Sequence, residues 1–332
     1  MNNIFDTITT LWSGVLRPAP RHIGVLILVA LVGATACGSD TISRAGSVPS
    51  TAASDGRSYT TTPSTTEAPS TVTTATAPRP TGTIDELVGA AGERVHVRCV
   101  GEGDTTVVLI AGFGGDSTSW SLVEPTIATR ARVCSYDRPG TGTSDPATST
   151  ATFTTQAMDL HDLLGKIGES GPYVVVGHSF GGAEAVTFAS LYADEVTGLV
   201  LIDASPTTWP DAICAVPDDG SDAAAMLRGL CGMFAPTGNS EHLDAVVAFA
   251  EAGEIGSLGS LPMTVITATR RGLAADLAAA EVERLNEAWD LGQQAWVALS
   301  TNAHLVSVEH TGHHIEIDQP GLVIDEIIRL LP

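Results

Sequence analysis

The chain has 332 residues, 38 acidic against 16 basic, for a formal net charge of −22 with a single lysine, Lys166. That balance argues against nucleic acid or an anionic membrane surface as a partner. The length allows one large α/β domain or two smaller ones, and the 43% hydrophobic content is enough for a sizeable core.

Residues 1–22 are polar and carry Arg17 and Arg21; an apolar run from Ile23 to Val32 follows, then small residues up to Gly38. A positive flank, a short apolar core and a small-residue exit describe a secretory signal over 1–36. The run falls short of the roughly 20 residues a spanning helix needs. The small residues before Cys37 resemble the lipobox of bacterial lipoproteins, with Ala34 where leucine is usual. That resemblance implies lipid attachment at Cys37 and an exported protein held at the cell surface, with a simply secreted form as the alternative. Residues 37–82 are Ser, Thr, Ala and Pro with almost no large apolar side chains, a composition expected of a disordered tether.

The globular part is expected over 83–332. Arg94–Val100 alternates as a half-exposed strand, and Thr106–Ile110 is a continuous apolar run, as in a strand covered on both faces. A glycine-rich loop, Ala111–Asp116, leads to a helix expected from about Trp120 to Thr129. The next strand, Arg132–Tyr136, ends in Asp137-Arg138-Pro139-Gly140. Ala157–Ile167 has helical apolar spacing, and Tyr173–Val176 is a strand. Val196–Ile202 is another strand, closed by Asp203. Residues 206–260 break the alternation and read as an insertion. Met263–Thr267 resumes the sheet, two helical segments lead to His304–Val308, and Leu322–Leu331 closes as an amphipathic helix. Strands alternating with helices predict an α/β fold with a mostly parallel sheet, and the insertion is expected to cap the strands' carboxyl ends.

The most specific signal is Gly177-His178-Ser179-Phe180-Gly181-Gly182, between the strand and a small-residue helix. Glycines flank the serine where a Cβ would clash, and the sharp turn lifts the Ser179 hydroxyl above the sheet edge. A serine serving only as a helix N-cap is the plainer alternative, but it leaves the glycine frame without a purpose.

With these motifs in this order the chain resembles the α/β-hydrolase family, in its capped esterase, haloperoxidase and aminopeptidase forms, over nearly all of 84–332. The resemblance implies an α/β-hydrolase fold with the cap after the sixth strand, a serine hydrolase with Ser179 as nucleophile, and a histidine base directly after a glycine. That base is His313, with His314 as runner-up. The family's acid usually follows the seventh strand, but the first carboxylate there is Asp276. Some members carry the acid one strand earlier, which favours Asp203 and keeps the order Ser, Asp, His, with Asp276 as the alternative and a purely structural turn-capping Asp203 as the plainer reading. The main-chain amides of Phe113 and Phe180 are the expected oxyanion donors. Ala111 stands where the family usually has histidine. Asp137 and Arg138 are expected to tie neighbouring loops, and His178 to point away from the nucleophile and pack.

No metal or organic cofactor is implied: His304, His310, His313 and His314 lack partner cysteines and a helical histidine–carboxylate set. Beyond Cys37 there are four cysteines, which allow three pairings. Cys99–Cys134 is favoured because the two strands would be neighbours in this fold, and Cys214–Cys231 because it closes a short loop. The expected substrate is a small-molecule ester, or an amide. An aminopeptidase would need a cap carboxylate, for which Asp211, Asp218, Asp219 and Asp222 are candidates. A non-catalytic surface binding module is the rival from another class.

Overall fold

The computed structural model describes residues 80–90, 92–269 and 277–332. The signal segment over 1–36, Cys37, nearly all of the 37–82 tether and the alternative acid Asp276 lie outside the described residues.

Among the described residues the strands are β1 (Ile84–Ala90), β2 (Glu93–Val100), β3 (Thr106–Ile110), β4 (Arg132–Tyr136), β5 (Tyr173–His178), β6 (Val196–Ile202), β7 (Met263–Ala268) and β8 (Ala303–Val308). They form one sheet in the order β1-β2-β4-β3-β5-β6-β7-β8. β1 pairs antiparallel with β2 and β2 with β4; every other neighbour is parallel. The helices are α1 (Glu124–Ile127), α2 (Phe153–Lys166), α3 (Phe180–Leu191), α4 (Trp209–Cys214), α5 (Asp222–Met233), α6 (Ala245–Gly253), α7 (Ala279–Ala298), α8 (Ile315–Asp318) and α9 (Pro320–Arg329).

Side chains on a strand alternate between faces, and β3 shows why an unbroken apolar run suits its centre. Val107 and Leu109 join a core made with Trp120, Ile127, Val323 and Ile327. Val108 and Ile110 join the opposite core, made with Phe153, Leu160, Val186, Phe188 and Trp289. Helices therefore cover both faces, as an α/β sheet requires. The chain leaves β3 for β4 on one side and returns to β5 on the other. The loops after β3 and β5 consequently open side by side at the strands' carboxyl ends, where such sheets hold their sites.

Three local expectations change. Ile84–Ala90, not expected as a strand, is one: it is mostly exposed, and its seven-residue pairing with β2 holds it extended. The helix expected over 120–129 is a 3-10 turn, Ser117–Trp120, followed by the four-residue α1. Pro125 lacks an N–H and clashes with a preceding helical turn, so the helix starts only around it. Between β7 and β8 the described residues hold one long helix, α7, in place of two segments.

Both favoured disulfides form. Cys99 on β2 lies in register with Cys134 on β4, with Cα atoms 4.1 Å apart. Cys214 at the end of α4 joins Cys231 on α5 across 5.2 Å. α4, α5 and α6 make up the insertion between β6 and β7, and the second disulfide lies within it.

Candidate active site

Ser179 sits between β5 and α3 with φ 55° and ψ −122°, a backbone state that a residue with a side chain seldom adopts. The surroundings impose it. A Cβ on Gly177 would fall 2.1 Å from the Gly181 carbonyl oxygen, one on Gly181 2.4 Å from the Ala111 oxygen, and one on Gly182 2.4 Å from the Ala204 Cβ. The Ser179 amide donates to the Ile202 carbonyl on β6, and its carbonyl accepts from Gly182 and Ser205. The turn is thus clamped by three neighbouring segments, which carry the roughly 1–3 kcal/mol such a conformation costs.

His313, in the loop after β8, places Nε2 2.9 Å from Ser179 Oγ and Nδ1 2.8 Å from Asp203 Oδ2. Asp203 follows β6, is fully buried and has φ 40°. Its Oδ1 accepts from Thr267 Oγ1 at 3.1 Å, the Ala268 amide at 3.2 Å and Trp289 Nε1 at 3.1 Å. That donor set suits an ionised carboxylate, which only accepts. The Trp289 ring stands edge-on to His313, with centroids 5.4 Å apart. The structure therefore brings Ser179, Asp203 and His313 together in one hydrogen-bonded chain. His310 is 79% exposed on its side chain, and His304 pairs with Glu326 and Arg329 away from the serine.

The loop after β3 is anchored from beneath by a buried charge cluster. Arg138 donates to the Ala111 carbonyl at 2.8 Å and the Gly112 carbonyl at 2.5 Å. Glu241, between α5 and α6 of the insertion, accepts from Arg138 Nε at 2.7 Å and from the Gly114 amide at 2.6 Å. Because a trans peptide is planar, pulling the Gly112 carbonyl toward Arg138 aims the Phe113 N–H the opposite way. Phe113 and Phe180 both border the cavity over Ser179, with ring centroids 5.0 Å apart. Phe180 opens α3, so its N–H belongs to the first helical turn, which has no partner within the helix. Tyr136 donates to Glu184 in the same cluster, and burial, opposed by Arg138 and Tyr136, raises the Glu184 pKa to about 7.

The cavity measures about 460 Å³. Trp209, Leu230, Met233 and Phe234 of the insertion roof it, with Phe113, Phe180 and Trp289 on its sides. None of Asp211, Asp218, Asp219 and Asp222 borders it; Asp218 turns outward to Arg228. Among the described residues the carboxylate that does border it is Glu316.

Glu316 belongs to a feature that sequence reasoning missed. His178 does not simply pack: its Nε2–H donates to the His313 carbonyl at 3.0 Å, and its Nδ1 faces Glu316 Oε1 at 3.7 Å. Burial holds His178 neutral, with its pKa pushed down to about 4, although Glu316 pulls the other way. His314 Nδ1 lies 2.9 Å from the same Glu316 oxygen. Burial opposes charge on His314 most strongly of any single cause, but the hydrogen bond to Glu316 and the charges of Glu316, Asp318 and Asp203 together outweigh it and raise the pKa. Trp289 on Asp203 and Glu241 on the β3 loop were missed too. Neither lies near a motif, and no sequence signal marks them.

Residues 105–225 match the family model described as the alpha/beta hydrolase fold. The uncharacterized protein YqjL of Bacillus subtilis is 26% identical over 229 residues, 67% of this chain and 82% of that protein. A 2-hydroxy-6-oxononadienedioate/2-hydroxy-6-oxononatrienedioate hydrolase of Cupriavidus pinatubonensis is 32% identical over 142 residues, 41% of this chain and 47% of that enzyme. Apart from the Bacillus protein, the curated relatives compared are each spanned over less than half of their own length. Among solved structures, a thermophilic esterase from Thermogutta terrifontis superposes with a TM-score of 0.53 at 21% identity, covering 75% of this chain and 97% of the esterase.

Proposed function

This chain has the α/β-hydrolase fold, and on that premise we propose that it is a serine hydrolase that cleaves carboxylic esters through an acyl-enzyme on Ser179. The observation that carries the proposal is the chain from Ser179 Oγ to His313 Nε2 at 2.9 Å and from His313 Nδ1 to Asp203 Oδ2 at 2.8 Å.

In this reading His313 Nε2 takes the Ser179 proton as Oγ attacks the substrate carbonyl. Asp203 fixes the Nδ1–H tautomer and stabilises the imidazolium that forms. The Phe113 and Phe180 amides receive the developing oxyanion. His313 returns the proton to the leaving alcohol, and water, deprotonated by the same imidazole, releases the acid. The apolar roof of Trp209, Leu230, Met233 and Phe234 supports a neutral, aliphatic or aromatic acyl group of modest size. The position of the four cap aspartates outside the cavity favours an ester over an aminopeptidase substrate.

The proposal extends to location. Two disulfides support work in an oxidising compartment outside the cytosol, with Cys37 as the site of a lipid anchor.

The test is a fluorophosphonate probe and a series of p-nitrophenyl esters, applied to the full chain and its Ser179→Ala variant. Labelling and turnover are expected in the first and neither in the second. Labelling that persists in a folded Ser179→Ala protein, or no labelling of the folded wild type, would sink the acyl-enzyme reading and favour a binding module.

A further inference from the structure

We infer that His178, His314 and Glu316 form a binding site for a Zn²⁺-class transition-metal ion in the cavity wall behind the triad. This goes beyond the hydrolase reading and does not depend on it. One ligand atom from each of the three residues lies within 4.8 Å of the others.

The argument starts from proton positions. A carbonyl only accepts, so the bond from His178 to the His313 carbonyl at 3.0 Å fixes the proton on His178 Nε2. In the neutral ring this leaves a lone pair on Nδ1, and that lone pair faces the Glu316 carboxylate, itself an acceptor, at 3.7 Å. Glu316 Oε1 has His314 Nδ1 beside it, but the His178 lone pair faces only this acceptor, an arrangement that a metal ion shared by the three groups would satisfy. Glu316 is 1% exposed, and its second oxygen, Oε2, has no hydrogen-bond partner among the described residues.

The two separations to Glu316 suit an ion. Zn²⁺ binds imidazole nitrogen and carboxylate oxygen at about 2.0–2.2 Å, so neighbouring ligand atoms around a tetrahedral ion lie roughly 3.4 Å apart. The separations of 2.9 Å from His314 Nδ1 and 3.7 Å from His178 Nδ1 to Glu316 Oε1 bracket that figure. His314 needs only to carry its proton on Nε2 to offer Nδ1, and its ring is 29% exposed, which gives the ion a route in from the cavity. Gly112 keeps the space beside the third ligand clear, since a Cβ there would stand 3.0 Å from His178 Nδ1. Two imidazoles and one carboxylate suit Zn²⁺ and its first-row neighbours better than Mg²⁺ or Ca²⁺, which take oxygen ligands. The set differs from the histidine run at 304–314 that the sequence draws attention to, because its other two members lie on β5 and on α8.

The test is calorimetric titration of the tag-free, chelator-treated full chain with ZnCl₂, backed by elemental analysis of the dialysed protein. One equivalent is expected to bind. Glu316→Gln and His314→Asn should each weaken binding at least about tenfold, the lower edge for groups that only support a ligand. Ser179→Ala and Asp203→Asn should keep wild-type affinity, which separates this site both from hydrolysis and from metal caught by the triad histidine. Circular dichroism of the metal-free variants controls for folding. Should Glu316→Gln fail to fold, the half-exposed His314→Asn carries the test. Three results overturn the inference: no saturable binding to the wild type, unchanged affinity in a folded His314→Asn variant (an adventitious ion only), or loss of binding in Asp203→Asn.

Discussion

Trp289 reaches from α7 to donate its indole N–H to Asp203 Oδ1 across 3.1 Å, while Oδ2 of the same carboxylate holds His313. One face of the acid is thus fixed by the helix after β7 and the other by the loop after β8. Trp289→Phe keeps an aromatic ring and removes the donor. A hydrogen bond to a charged group contributes about 1.5–3 kcal/mol, so ester kcat/KM should fall by roughly ten- to a hundredfold while fluorophosphonate labelling persists at a lower rate. Wild-type kinetics in the variant would remove Trp289 from the support of the triad.

Asp203→Asn should preserve the packing and lower kcat by about four orders of magnitude, because the amide favours the wrong imidazole tautomer. Asp276→Asn should leave kcat within about twofold, a change worth less than 0.5 kcal/mol. Steady-state kinetics on one ester decide between the two acids, and the reverse ranking would move the acid to the loop after β7.

Glu184 gives a pH signature in stability. Its folded pKa is raised to about 7 by burial, against 4.5 for the free carboxyl. Between these values the folded state holds a proton that the unfolded chain has released, so stability falls as pH rises through that window. The contribution is complete below about 4.5 and lost above about 7, on the order of 3 kcal/mol. Glu184→Gln has no such slope, so denaturant titrations should show its stability gaining on the wild type from pH 5 to pH 7.5. A pH-independent difference would show that Glu184 does not carry the slope.

The Cys214–Cys231 bridge closes a loop with a sequence separation of 17 and joins two roof helices. Replacing both cysteines by serine should cost about 3 kcal/mol by the chain-entropy argument. The loss should appear as a lower Tm, and more strongly in turnover of longer acyl esters than of acetate, since Leu230, Met233 and Phe234 flank the bridge. An unchanged Tm would mean that the roof holds without it.

Ser179 should be replaceable at a gain. Ser179→Gly abolishes turnover but relieves the positive φ, and should be more stable than Ser179→Ala by about 1 kcal/mol in denaturant midpoints. Equal stability of the two variants would mean that the turn stores little strain.

The parts of the site that were legible are those whose chemistry is local. The glycines around Ser179 follow from steric contacts within the turn, and Gly312-His313 lies in the loop that follows β8. Asp203 was readable through the family resemblance, which allows the acid at the end of the buried strand that Asp203 closes. The rest depends on distant contact. Glu241 looks like any polar residue of the insertion until folding places it against Arg138, 103 residues earlier. His178 reads as packing because nothing in its own segment announces Glu316. Ile84–Ala90 has too little apolar alternation to read as a strand and owes its extension to a partner.

Ser179 and His313 stand 134 residues apart in the chain, and Asp203 and His313 stand 110 apart. Ser179 and Asp203 come from adjacent strands at the middle of the sheet, whereas His313 arrives with the edge strand β8. Activity is therefore a report on closure of the outermost strand. A chain that has formed β3 to β6 already displays the strained serine, yet His313 is not there to meet it. Fraying at the β8 edge should abolish the proposed hydrolysis well before the central sheet gives way, so loss of ester turnover on heating should precede loss of the far-ultraviolet signal.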